Sequence, residues 1–274
     1  MKIALAQTTT GIDPDANAAA LVAAIEEAGR AGAVMLFTPE MSGLLDRDRA
    51  RAASAIHAEG DDPVLAAVRQ AARSAGIWVH LGSLALRRAD GMLANRGFVI
   101  DAAGGIKARY DKMHLFDVDL PTGEAWRESA AYVSGEQAVV VGSSLGPLGM
   151  TICYDLRFPD LFRALSNAGA RVFSVPAAFT RPTGKAHWHV LLRARAIEAG
   201  AFVIAAAQTG VHQDGRETFG HSLVVDPWGE VLLDMGDQPG IGYVDLDLAA
   251  IDRVQARVPV LRHRRTIGEV LRIE

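Results

Sequence analysis

Lys2-Ile3-Ala4-Leu5-Ala6-Gln7-Thr8 and Ala33-Val34-Met35-Leu36-Phe37-Thr38 are two short apolar runs separated by an alanine-rich, amphipathic stretch over 15–30. The spacing reads as strand 2–8, helix 15–30 and strand 33–38, a βαβ unit that places the chain in the α/β class. The rhythm continues with a helix over 62–75, opened by Asp61-Asp62-Pro63 as cap and first turn, and a strand over 77–84. Antiparallel pairing then enters: Arg96 to Asp101 and Ile106 to Tyr110 flank Ala102-Ala103-Gly104-Gly105, a hairpin signal. Strands over 137–142 and 147–153, helix 159–168, strand 171–175, helix 185–199 and strand 201–207 repeat the alternation. A second hairpin, His221 to Asp226 and Glu230 to Asp234, encloses Pro227-Trp228-Gly229, and a strand from Gly240 to Asp247 precedes a short helix. No Ser/Pro-rich linker, charge block or fixed-period repeat interrupts this pattern. One compact domain over 1–274, with mixed sheets and helices outside them, is the expectation.

Composition narrows the function classes. Half of the 274 residues are hydrophobic, enough for a sizeable core, and 28 Lys plus Arg against 32 Asp plus Glu leave a formal charge of −4. That balance gives no general attraction to a phosphate backbone, so nucleic acid is not an expected partner. The first apolar run is too short for a signal-peptide core, and no stretch nears the roughly 18 apolar residues of a membrane span. A cytoplasmic protein with no membrane partner is the expectation, and the single cysteine fits a reducing compartment.

That cysteine, Cys153, follows Gly149-Met150-Thr151-Ile152 and precedes the turn-forming Tyr154-Asp155-Leu156-Arg157-Phe158-Pro159. Alone it cannot form an intrachain disulfide. A free cysteine is usually an apolar filler, but its place where a strand gives way to a loop suits a nucleophile. Two more chemically capable residues share that placement: Glu40 after Val34-Met35-Leu36-Phe37-Thr38-Pro39, and Lys112 after Arg109-Tyr110-Asp111. A thiol with a pKa of about 8.5 needs a proton acceptor near neutrality, and Glu40 can serve if burial raises its proton affinity. Lys112 would oppose that rise, and suits the developing oxyanion of a tetrahedral intermediate together with the Tyr154 backbone N–H. Taken singly, Glu40 also fits a surface turn and Lys112 a solvated loop.

Three segments together carry a more specific signal. Phe37-Thr38-Pro39-Glu40, Tyr110-Asp111-Lys112-Met113-His114-Leu115-Phe116 and Cys153-Tyr154-Asp155-Leu156-Arg157-Phe158-Pro159 resemble, in the right order, the signature segments of the nitrilase superfamily of carbon–nitrogen hydrolases. The resemblance runs from Lys2 to about Arg265. It implies a four-layer αββα sandwich of two mixed sheets, a homodimer or higher homo-oligomer, and a catalytic set in which Glu40 is the general base, Lys112 the oxyanion-stabilising residue and Cys153 the nucleophile. It also places a second glutamate on Glu128, holding Lys112 and assisting proton transfer to the departing amine, where the sequence alone reads a loop carboxylate paired with Arg127. Arg157 suits a substrate carboxylate or a structural ion pair; Tyr154, Phe179 and Tyr132 suit the pocket wall or the core.

The reaction so implied is hydrolysis of a small linear amide through a thioester, without metal or cofactor. His187 and His189 sit at i, i+2 on a helix and face apart, while His212 and His221 lie downstream; no cysteine pair or HExxH motif supports zinc. Within the superfamily, His189-Val190-Leu191-Leu192-Arg193-Ala194-Arg195-Ala196-Ile197-Glu198, Ala205-Ala206-Ala207-Gln208 and Gly220-His221-Ser222-Leu223-Val224-Val225-Asp226-Pro227-Trp228-Gly229 look most like the deaminated glutathione amidases. The omega-amidases, acting on short oxo-dicarboxylate monoamides, come next. A nitrilase and an inactive binding or scaffold protein of the same fold are the further alternatives.

Overall fold

In the computed structural model, which describes residues 1–119, 123 and 125–273, the chain alternates strands and helices through two similar halves. The first runs β1 (Lys2–Gln7), α1 (Pro14–Arg30), β2 (Met35–Phe37), α2 (Arg49–Ala53), α3 (Pro63–Ala75), β3 (Trp78–Arg87), β4 (Leu93–Ile100) and β5 (Ile106–Asp111). A small ribbon, β6 (Asp117–Asp119) with β7 (Ala125–Arg127), leads to the second half. There follow β8 (Val139–Ser143), β9 (Gly146–Met150), α4 (Pro159–Asn167), β10 (Val172–Ser174), α5 (Arg181–Ala199) and β11 (Phe202–Ala205). The ribbon β12 (Thr209–Val211) with β13 (Glu217–Phe219) precedes β14 (Leu223–Val225), β15 (Val231–Asp234), β16 (Gly240–Asp245), α6 (Ala249–Arg257) and α7 (Val260–His263).

Two six-stranded mixed sheets result, ordered β16-β1-β2-β3-β4-β5 and β8-β9-β10-β11-β14-β15. Read in those orders, both show one antiparallel pair, two parallel pairs and two antiparallel pairs. Strand alternation decides the layering: Ile3, Leu5, Met35 and Phe37 join the core shared with the second sheet, while Ala4, Ala6 and Leu36 face α1 and α3. On the far side, Trp188, Leu192 and Ala196 of α5 and Phe162 of α4 close the second sheet. The fold is the αββα sandwich expected from the motifs. Each fully buried Leu, Ile or Phe in these layers contributes about 1.5–3 kcal/mol of transfer free energy.

Local chemistry sets the element ends. Asp13 caps α1 by accepting from the Asp15 and Ala16 backbone N–H groups, and Asp62 caps α3 by accepting from Leu65. Helix α3 ends at Gly76, whose φ of 66° is the left-handed conformation of a helix stop. Some boundaries differ from the sequence expectation. Helix α5 begins at Arg181 rather than 185, because Pro182 is accepted in its first turn. Strand β9 ends at Met150, three residues before Cys153, so the cysteine opens a 3-10 turn, Cys153–Arg157, instead of closing the strand. The two ribbons β6–β7 and β12–β13 went unread, being only three residues per strand.

Candidate active site

The loops that follow β2, β5, β9 and β10 meet where the two sheets come together, and each carries one part of the site. After β2, Thr38 Oγ1 receives the Gly82 N–H at 3.0 Å, Gln208 Nε2 donates to the Glu40 carbonyl at 3.0 Å, and Met41 takes a φ of 56°. These constraints turn Glu40 inward. Gly82 permits the approach: a Cβ there would lie 2.2 Å from the Thr38 carbonyl oxygen and 2.3 Å from that of Pro39.

Cys153 is held as firmly. Its N–H donates to Pro176 O at 2.8 Å, and its φ of 50° is unusual for a residue other than glycine. Asp155, fully buried, pins the turn: it accepts from Ile152 N at 2.8 Å, Tyr110 Oη at 2.7 Å and His114 N at 3.0 Å. Its last two partners flank Lys112. The turn of Cys153 and the loop of Lys112 are therefore tied to one carboxylate.

At the centre, Lys112 Nζ lies 2.9 Å from Glu40 Oε1 and 2.8 Å from Glu128 Oε2. Asn95 spans the same two carboxylates, its Nδ2 donating to Glu40 Oε1 at 2.9 Å and to Glu128 Oε1 at 3.1 Å. The Ala178 N–H donates to Glu40 Oε2 at 3.0 Å and the Phe116 N–H to Glu128 Oε2 at 2.7 Å. Glu40, Lys112 and Cys153 are all buried. Glu128 pairs with Lys112 and not with Arg127, which bonds Asp119 instead.

These contacts fix the charges. Burial pushes the Glu40 carboxyl up, but Lys112 beside it and hydrogen bonds from Cys153, Lys112 and Asn95 outweigh that, leaving it below the usual glutamate value. The rise in proton affinity expected from the sequence is thus reversed. Burial would lower Lys112, but Glu128 and Glu40 hold it well above the ordinary lysine value. Burial and then the Glu40 charge push the Cys153 thiol well up. The resting set is a neutral thiol beside an ionised carboxylate and a permanent ammonium.

A cavity of about 700 Å³ opens from this set and is lined by Tyr154, Arg157, Phe179 and Tyr132, as well as by Asn95 and Trp126. Arg157 places its guanidinium 5.2 Å from the Phe179 ring and 5.8 Å from that of Tyr154, with Nη1 3.1 Å from His187 Nδ1. Among the described residues it has no carboxylate partner, so no structural ion pair occupies it. The sequence reading misses Asn95 and Trp126: the first sits inside the eight-residue β4 and the second in the three-residue β7, where nothing local marks either as functional. Trp126 Nε1 and Asn95 Oδ1 are buried with no partner among the described residues. His187 and His189 diverge as their spacing implies, the first to Arg157 and the second to Asp234.

A buried thiol, a carboxylate within its proton's reach and an ammonium, gathered at the strand ends of an αββα sandwich, define a cysteine-dependent hydrolase class. The chain belongs to the carbon-nitrogen hydrolase family, whose model matches residues 2–256. It is 40% identical over 275 residues to the deaminated glutathione amidase of Yersinia enterocolitica, covering 98% of this chain and 94% of that protein. Among solved structures it is similar to the C. elegans NitFhit protein, with a TM-score of 0.89 and 37% identity over 96% of this chain; the chain spans 65% of that protein's length. It is also similar to an amidase from Nesterenkonia sp. AN1, with a TM-score of 0.79 and 31% identity over 94% of this chain and 98% of that one. That structure shows the result of Michael addition of acrylamide at its active-site cysteine.

Proposed function

We propose that this enzyme is an amidase that hydrolyses deaminated glutathione through a thioester on Cys153. The observation that carries the mechanism is the convergence of Glu40, Lys112, Glu128 and Cys153 on one end of the cavity. Cys153 Sγ attacks the amide carbonyl carbon as its proton passes to Glu40; because the thiol resists ionisation, transfer and attack occur together. Lys112 Nζ and the Tyr154 N–H stabilise the oxyanion, each such donor contributing about 2.7–4 kcal/mol. Glu40 then protonates the departing nitrogen, the C–N bond breaks and ammonia leaves. Glu40 next takes a proton from water, the resulting hydroxide adds to the thioester, and the acid departs as Cys153 regains its proton. Glu128, occupied by Lys112, Asn95 and the Phe116 N–H, positions the ammonium.

The substrate class rests on the relatives and on Arg157, whose guanidinium reaches the cavity without a carboxylate partner among the described residues and suits a substrate carboxylate. We further infer a cytoplasmic homodimer operating as one domain over 1–274: the sole cysteine is unpaired, and Val190, Ile197, Trp228, Val231 and Leu232 leave apolar surface on α5 and around β15 exposed. The deciding measurement is ammonia release from deaminated glutathione, alpha-ketoglutaramate and small aliphatic nitriles. Deaminated glutathione is expected to give the highest kcat/KM; a preference for alpha-ketoglutaramate moves the enzyme to the omega-amidases, and turnover of nitriles alone removes the amidase assignment. Intact mass after brief mixing should show an acyl adduct that Cys153→Ala abolishes.

A further inference from the structure

Away from the catalytic cavity, three ligand-bearing side chains from three separate elements converge: His189 of α5, His221 just ahead of β14, and Asp234 at the end of β15. His189 Nε2 lies 2.9 Å from Asp234 Oδ2, and His221 Nδ1 lies 2.9 Å from Asp234 Oδ1. All three ligand atoms fall within 4.8 Å of one another. We propose that this trio binds a late first-row divalent cation, zinc foremost, which fastens α5 to the β14–β15 hairpin.

The donor set selects the metal class. Two imidazole nitrogens with one carboxylate suit zinc, cobalt or nickel, whereas magnesium and calcium prefer all-oxygen shells. Zinc bonds of about 2.0–2.2 Å place neighbouring ligand atoms roughly 3.0–3.4 Å apart; the two contacts to Asp234, at 2.9 Å, are already near that spacing, and side-chain rotation brings in the remaining ligand atoms, which lie within 4.8 Å of one another. The side chains are 36%, 27% and 34% exposed, which leaves room for water to complete the shell.

The ligands are also held in advance. His221 adopts a φ of 55°, its N–H donates to Gly236 O at 2.6 Å, and its ring stacks on Phe219 with centroids 4.4 Å apart. Gly236 N donates to Asp234 Oδ1 at 3.0 Å, and Trp188 Nε1, next to His189, donates to the His221 carbonyl at 2.8 Å. These bonds orient the trio from outside it, as the surroundings of a metal site do. In the apo state the two imidazoles hydrogen-bond Asp234; binding the cation replaces those bonds and releases whatever protons the coordinating nitrogens carry.

The test titrates zinc chloride into tag-free Cys153→Ser protein at pH 7.5 by calorimetry, the serine removing the competing thiol, and follows thermal unfolding alongside. About one equivalent should bind saturably and raise Tm. His189→Gln and Asp234→Asn should each weaken binding by about tenfold or more. Absence of saturable binding to the parent overturns the proposal, as does undiminished binding in His189→Gln. Because that variant alters a partly exposed helical position, its folding is secure even where loss of Asp234 loosens the hairpin.

Discussion

Glu40, Lys112 and the neutral Cys153 thiol are buried together with the less buried Glu128 beside the lysine, and on the proposed mechanism the protonation of Glu40 sets the enzyme's pH behaviour. On the proposed mechanism Glu40 must be ionised, and its carboxyl lies below the ordinary glutamate value. Activity should therefore hold through neutrality and fall only on the acid side of the usual glutamate range, as a kcat/KM profile against pH will show. The stability signs follow the same shifts. Glu40, lower in the folded state, contributes stability above its unfolded pKa that is lost as pH falls through the folded one; Lys112, higher in the folded state, contributes below its unfolded pKa and loses that as pH rises through its folded one. Glu40→Gln should cut kcat by about 10²–10⁴ while leaving the fold intact. Asn95→Asp, which sets a third carboxylate against Glu40 and Glu128, should move the acid limb upward and lower kcat, whereas a purely structural Asn95 would leave that limb in place. At this scale the sequence disclosed the groups whose chemistry is rare after a strand: the thiol, the lysine and the glutamate. Asn95 was hidden because its importance arises from register. Its carbonyl accepts the Lys112 N–H at 3.0 Å across neighbouring strands, which no local pattern reveals.

Elements position the site through close approach as much as through hydrogen bonds. The register of β3 against β4 shifts between Leu81 and Leu84, and Gly82 within that irregularity lets β3 lie against the Thr38–Glu40 loop. Gly82→Ala drives a methyl into two backbone carbonyls and should cost about 3 kcal/mol or more, read as a lowered urea midpoint, with activity lost through displacement of Glu40. Asp155→Ala leaves Ile152 N, Tyr110 Oη and His114 N without their shared acceptor, an expected loss of about 3 kcal/mol with Cys153 and Lys112 disengaged together. Helices with a side-chain cap were legible, α1 and α3 falling within a residue of expectation, whereas α5, which has no side-chain cap, starts ahead of its expected first residue. Three-residue ribbons offer too few residues for alternation to register. The end of β9 was misplaced because Thr151 and Ile152 continue an apolar run after the ladder has stopped.

Across the whole molecule, the class of fold could be read from the βαβ alternation, while the division into two sheets could not, since strand order depends on contacts between residues far apart in sequence. His80 in β3 is a case in point. It lies fully buried, stacked on Phe37, and burial depresses its pKa to about 3. A histidine lower in the folded state gives stability that is complete above its unfolded value and is lost as pH falls from the mid-sixes toward about 3, at up to roughly 1.4 kcal/mol per pH unit. His80→Leu should flatten the acid side of the stability curve, as urea midpoints at several pH values will show. Glu40 hangs from one sheet and Cys153 and Ala178 from the other, so the reactive geometry exists only while the two halves stay in register. Turnover is consequently a gauge of that seam. In mild urea, catalytic rate should decline before far-ultraviolet circular dichroism reports any loss of the halves themselves.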